Sequence, residues 1–173
     1  MKIMTLWSDH WEKRQDQIRF IIIHATGTEN LTKTLDLFAH SQPPHRISCH
    51  YVIDTDGSVY QLVDDDKTAW HAGRSDWQDY AKNKGLTGLN HSSIGIELQI
   101  PALSFDDNGE ALSFDKPTEA QLNACIQLCR ELMKKYNILP ENVLKHSDVA
   151  PLRKFDPGCD FPWPLFKKSL IKK

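Results

Sequence analysis

No apolar run in this 173-residue chain approaches the ~18 residues that span a bilayer. The first twenty residues carry Asp9, Glu12, Lys13, Arg14 and Asp16 where an export signal would place an apolar core. The expectation is a chain that stays in the cytoplasm; if a signal was removed, the compartment is the periplasm or cell envelope. Charge of one sign is also missing. Lys plus Arg number 21 against 23 Asp plus Glu, a net charge of -2, which gives no electrostatic grip on nucleic acid or anionic lipid. Cysteine is sparse, and its four positions include no C-x-x-C pair, so neither a cysteine-rich metal cage nor a disulfide framework is indicated. Free thiols fit a reducing compartment. The chain has no G-x-S-x-G elbow, P-loop or H-E-x-x-H, and no internal repeat.

What is present is ordinary for one globular domain over 1–173: 40% apolar and 25% charged residues, on a length that can bury a real core. Residues 1–19 mix charges and tryptophans without a pattern and read as an N-terminal extension; the motif-bearing core covers about 20–166. Phe20 to His24 is a continuous apolar run, the pattern of a strand covered on both faces. Leu31, Leu35 and Phe38 recur at helical spacing, predicting a helix over 31–41 that Pro43-Pro44 closes. CHYVID and SVYQLV flank Thr55-Asp56-Gly57, a hairpin signal. Residues 64–92 read as loop. In SIGIELQ, Ile94, Ile96 and Leu98 point one way and Ser93, Gly95 and Glu97 the other. Residues 101–117 read as an exposed loop. Thr118 opens the strongest helix, with Gln121 completing a capping box and a stripe running from Leu122 to Tyr136. A short strand at Val143–Lys145 and a closing helix after Pro162 finish the chain. Strands interleaved with helices predict an α/β fold: a mixed central β-sheet flanked by helices.

Three residues stand out chemically. His24 ends the first apolar run, and His146 and Asp156 bracket HSDVAPLRKFDPG. Two imidazoles and one carboxylate make a three-ligand set that leaves one tetrahedral position of a zinc ion open for water. Each residue alone has a blander explanation: a histidine at a strand end is usually structural, and an Asp before Pro-Gly is a turn-former. Glu97 is harder to dismiss, because Gly95 on the same strand face leaves open space beside its carboxylate.

Taken in order from about Phe20 to Trp163, the segments IIIHAT, CHYVIDTDGSVYQLV, AWHAG, SIGIELQ and HSDVAPLRKFDPG followed by FPW resemble a known family. It is the type-two family of zinc-dependent N-acetylmuramoyl-L-alanine amidases, which shares its fold with the peptidoglycan recognition proteins. The motifs are most similar to the bacterial enzymes that trim or recycle muropeptides. The resemblance implies one Zn2+ held by His24, His146 and Asp156. It also implies Glu97 as general base and Lys154 as stabiliser of the oxyanion. The bond implied is the amide between the lactyl group of (anhydro-)N-acetylmuramic acid and L-alanine, in peptidoglycan or a muropeptide. Where some relatives place a catalytic Tyr just before the position of His50, this chain has Cys49, which puts it with the branch that relies on Glu97.

His50, His71, Trp70 and Arg74 are the candidates for contact with substrate, and His10, His40, His45 and His91 read as surface residues. Two competing functions follow from the same residues. A recognition module would bind peptidoglycan without cutting it, usually after losing a metal ligand; all three are kept here. A cysteine hydrolase would use Cys159 or Cys49 with a nearby histidine.

Overall fold

A computed structural model describes residues 2–41, 46–79, 84–151 and 153–171. In chain order its elements are β1 (Ile3–Thr5), β2 (Trp11–Lys13), β3 (Phe20–Gly27), α1 (Leu31–His40), β4 (Tyr51–Ile53) and β5 (Val59–Gln61). Then come β6 (Lys67–Ala69), β7 (Asp76–Asp79), β8 (Lys84–Thr87), β9 (Ser93–Phe105) and β10 (Ala111–Phe114). The chain ends with α2 (Glu119–Tyr136), β11 (Val143–Lys145), the single turn α3 (His146–Val149) and α4 (Trp163–Ile171). The main sheet runs β1-β5-β4-β9-β3-β11, with β10 paired to the far half of β9. Its centre is parallel, β9 lying between β4 and β3. Helices cover both faces, the mixed α/β arrangement that the element order predicts.

The apolar run of β3 is buried on both sides. Ile21 and Ile23 join Ile94, Ile96 and Leu98 of β9 under α2 and α4. Phe20 and Ile22 pack on the opposite face with Leu89, Leu144 and Val149. Each fully buried Ile is worth about 1.5–3 kcal/mol, so this strand pair is anchored strongly. The parity of β3 then decides the site: His24 falls on the face away from α2. Helix α2 starts at a complete capping box, with the Thr118 hydroxyl accepting from Gln121 N and the Gln121 side chain accepting from Thr118 N (3.0 Å each). The same Gln121 amide donates to Gln99 O at 2.9 Å, tying the helix start to β9. Gly57, at φ +85°, makes the hairpin turn beneath α2; a Cβ there would sit 2.9 Å from Ala120 O.

Two stretches expected as loops are not. The 64–92 segment contains β6, β7 and β8, and β6 pairs with β2, so the patternless N-terminal extension is part of the fold. The 101–117 segment is the outer half of β9 turning back through β10. There the alternation is diluted by Asp, Asn and Gly, and Leu103 and Phe105 stay exposed, so no apolar face is visible in the sequence. Pro43 and Pro44 lie outside the described residues.

Candidate metal centre

Strand register sets up the site. His24 on β3 is directly paired with Glu97 on β9, so their side chains stand together on the cleft face. The other two residues come from one loop. Asp148 accepts from Lys145 N at 3.1 Å, starting the turn that presents His146. Ser147 N donates to Asp156 O at 3.1 Å, folding the far end of the loop back beside His146.

The result is a triangle of ligand atoms. His24 Nδ1 lies 3.0 Å from His146 Nδ1, and each nitrogen lies 3.1 Å from Asp156 Oδ2. All three side chains are buried, and among the described residues they form a group able to hold a metal. A tetrahedral shell at ~2.1 Å spreads its donors to roughly 3.4 Å, so the trio fits a zinc-sized ion after shifts of a few tenths of an ångström. Two nitrogens and one oxygen are a donor set suited to zinc, and they leave one position open.

Glu97 completes the floor. Its carboxylate approaches His24 Nδ1 at 4.0 Å. Among the described residues, its Oε2 is the one buried side-chain polar atom without a hydrogen-bond partner. An orphaned acceptor is costly to bury and marks a place where a donor is expected to come and go. Burial, then the neighbouring Asp156, raises the Glu97 carboxyl well above its usual range, with Lys154 opposing in part. Burial and the His146 charge push His24 down to about 4. Neutral imidazole is the form that ligates metal.

A cleft of about 460 Å³ opens at these groups, lined also by Arg46, Trp70, Phe105, Glu110 and Lys154. Trp70 is fixed by its indole N–H donating to Glu12 at 3.1 Å. Lys154 reaches the cleft and pairs with Glu110 at 2.5 Å. Of the expected substrate residues, Trp70 and His71 line the cleft, while His50 and Arg74 do not. His50 is fully buried behind it, its Nδ1 accepting from Gly95 N at 3.0 Å and its Nε2 facing Lys67 O at 3.1 Å. Arg74 is exposed outside it. The space beside Gly95 is not open either: His71 fills it. His10 is buried rather than on the surface, with Nδ1 3.0 Å from Ser41 Oγ.

Side chains with no sequence pattern support the floor. Arg14 donates to the carbonyls of Asp65, Lys67, His91 and Ser93 at 2.6–3.1 Å, closing the back of the site. The Asn90 side chain accepts from the backbone N–H of both His71 (3.2 Å) and Ala72 (2.7 Å).

Residues 14–159 match the model of the N-acetylmuramoyl-L-alanine amidase family. The chain belongs to that family. It is 36% identical over 155 residues to the N-acetylmuramoyl-L-alanine amidase AmiD of Escherichia coli K12, a match covering 85% of this chain and 51% of that protein. It is likewise 36% identical over 140 residues to the 1,6-anhydro-N-acetylmuramyl-L-alanine amidase AmpD of Salmonella typhimurium SL1344, covering 79% of this chain and 66% of that one. The chain thus spans about half the length of the first relative and about two thirds of the second. Its fold superposes on the E. coli AmiD structure with a TM-score of 0.75 at 34% identity, over 93% of this chain and 62% of that one. That amidase was solved in complex with the substrate anhydro-N-acetylmuramic acid-L-Ala-D-γ-Glu-L-Lys.

Proposed function

We propose that this amidase-family chain hydrolyses the amide between the lactyl group of (anhydro-)N-acetylmuramic acid and L-alanine of the stem peptide, using one zinc ion. The observation that carries this is the convergence of His24 Nδ1, His146 Nδ1 and Asp156 Oδ2 within 3.1 Å, beside a buried carboxylate oxygen with no partner. Zinc held by the trio supplies Lewis-acid polarisation of the scissile carbonyl and activation of water. Glu97 Oε2 takes the proton of the attacking water and delivers it to the departing L-alanine nitrogen. The Lys154 ammonium faces the developing negative charge on the carbonyl oxygen.

A muropeptide as substrate is supported by the ligand of the E. coli AmiD complex. Trp70 supplies an apolar wall and Arg46 a positive charge for a substrate that carries carboxylates. Among the described residues no helix is long and apolar enough to cross a membrane. The free cysteines, Cys49, Cys125 and Cys129 buried and Cys159 exposed, support a reducing compartment for this work.

The test is incubation of the zinc-loaded chain with anhydro-N-acetylmuramic acid-L-Ala-D-γ-Glu-L-Lys, followed by mass spectrometry. Free tripeptide and anhydro-N-acetylmuramic acid are expected, and both should disappear with Glu97→Gln. Tight binding with no cleavage by the zinc-loaded wild type would instead make this a recognition module.

A further inference from the structure

We infer that His71 is a positioning residue of the metal centre: it fixes the tautomer of His24 through a hydrogen-bond chain that starts at the Ser93 hydroxyl. The inference rests on the metal site proposed above. It begins with a proton count. Ser93 Oγ donates to Leu89 O at 2.7 Å, and a hydroxyl has one proton to give. Toward His71 Nε2, 3.1 Å away, the same oxygen therefore accepts. His71 then carries its proton on Nε2 and has a bare Nδ1. That nitrogen lies 3.0 Å from His24 Nε2, which must be the donor. The proton of neutral His24 is thereby assigned to Nε2, and a lone pair is left on Nδ1. Nδ1 is the atom that faces His146 and Asp156.

The adjacent residue does the same for the second imidazole. Ala72 O lies 3.3 Å from His146 Nε2, and a carbonyl only accepts, so His146 Nδ1 is also bare. Two consecutive residues of one turn thus aim two lone pairs at one point. The turn is clamped from both sides, by the Asn90 side chain on its N–H groups and by Arg153, which donates to Ala72 O (3.1 Å) and Arg74 O (2.7 Å). Gly95 makes room for the ring: a Cβ there would lie 2.4 Å from His71 Cγ. Ser93, Gly95 and Glu97, alternate residues of one strand face, therefore anchor His71, admit it and stand beside the metal. His71 borders the cleft, yet both of its nitrogens are engaged by protein, which leaves none for substrate.

Partners of this kind typically hold metal affinity 10–100-fold higher than their absence allows. The experiment measures zinc dissociation constants by chelator competition for wild type, His71→Leu and His71→Asn. Asn places an amide oxygen where Nδ1 stands and keeps the acceptor for His24; Leu fills volume without one. Zinc should bind about 10–100-fold more weakly to His71→Leu and recover most of that loss in His71→Asn. Equal affinity for wild type and Leu overturns the inference, as does an Asn variant no better than Leu. If the Leu variant does not fold, side-chain nitrogen NMR of the zinc-loaded wild type decides. His71 must be the Nε2–H tautomer, and an Nδ1–H tautomer overturns the chain. A wild type that takes up no zinc removes the metal reading and this inference together, whereas tight zinc binding unaffected at His71 removes this inference alone.

Discussion

Lys154 Nζ lies 2.5 Å from Glu110 Oε2, joining the loop that carries His146 and Asp156 to the turn of the β9–β10 hairpin at the cleft. Both partners are partly exposed, so the pair itself contributes only about 0–1 kcal/mol to stability. Its consequence is positional, since it holds an ammonium at the rim of the site.

The two members of that pair should behave differently when removed. Lys154→Ala should retain zinc and lose ~2.7–4 kcal/mol of transition-state stabilisation, a fall in kcat of roughly 10²–10³. Glu110→Gln leaves the ammonium in place and should change kcat by less than about tenfold, with Tm nearly unaltered. Steady-state kinetics on zinc-loaded variants separates them, and equal losses would show that the pair, not the ammonium, matters.

Glu97→Gln should keep a full equivalent of metal and lose ~10²–10⁴ in kcat, because an amide cannot take the proton. Substrate affinity by calorimetry should survive. Unchanged turnover would take Glu97 out of the mechanism.

His50 makes the fold sensitive to acid. Burial first, and the Arg14 charge second, push its pKa down to about 3. The unfolded chain binds that proton near pH ~6.5, so the stability tied to neutral His50 is complete above ~6.5 and is lost as pH falls toward the native value. The slope is about 1.4 kcal/mol per pH unit for this one site. His50→Asn keeps an acceptor for Gly95 N but cannot titrate, so its Tm should decline less steeply between about pH 6.5 and 4. Parallel Tm curves would assign the acid sensitivity elsewhere.

Much of this was legible in the chain itself, for reasons particular to each segment. FIIIH, the alternation of SIGIELQ and the Thr118–Gln121 capping box are local signals that tertiary packing reinforces, and they fix the strand pair and helix around the site. The parity of SIGIELQ also put Ser93, Gly95 and Glu97 on one face, although not what fills the gap beside Gly95. The sequence also singled out His24, His146 and Asp156 as candidates, and the fold brings them together as a group able to hold a metal. What stayed hidden depends on long-range partners. Arg14 sits in a segment without periodicity, yet its contacts with distant carbonyls bury His50 away from the cleft. The Ser93–His71–His24 chain links three elements through single hydrogen bonds, which leave no trace in spacing. The β10 strand escapes notice because Phe114 is the one residue of its four that is buried, so no apolar alternation marks it.

Asp156→Ala should retain less than about a tenth of an equivalent of zinc by elemental analysis at micromolar metal, since two imidazoles alone hold the ion poorly. Retention of a full equivalent would break the ligand assignment.

Zinc-edge anomalous diffraction from crystals of the zinc-loaded wild type tests the centre most directly. One peak bonded to His24 Nδ1, His146 Nδ1 and Asp156 Oδ2 is the predicted result. A peak held by other side chains, or by the Nε2 atoms of those histidines, would contradict it.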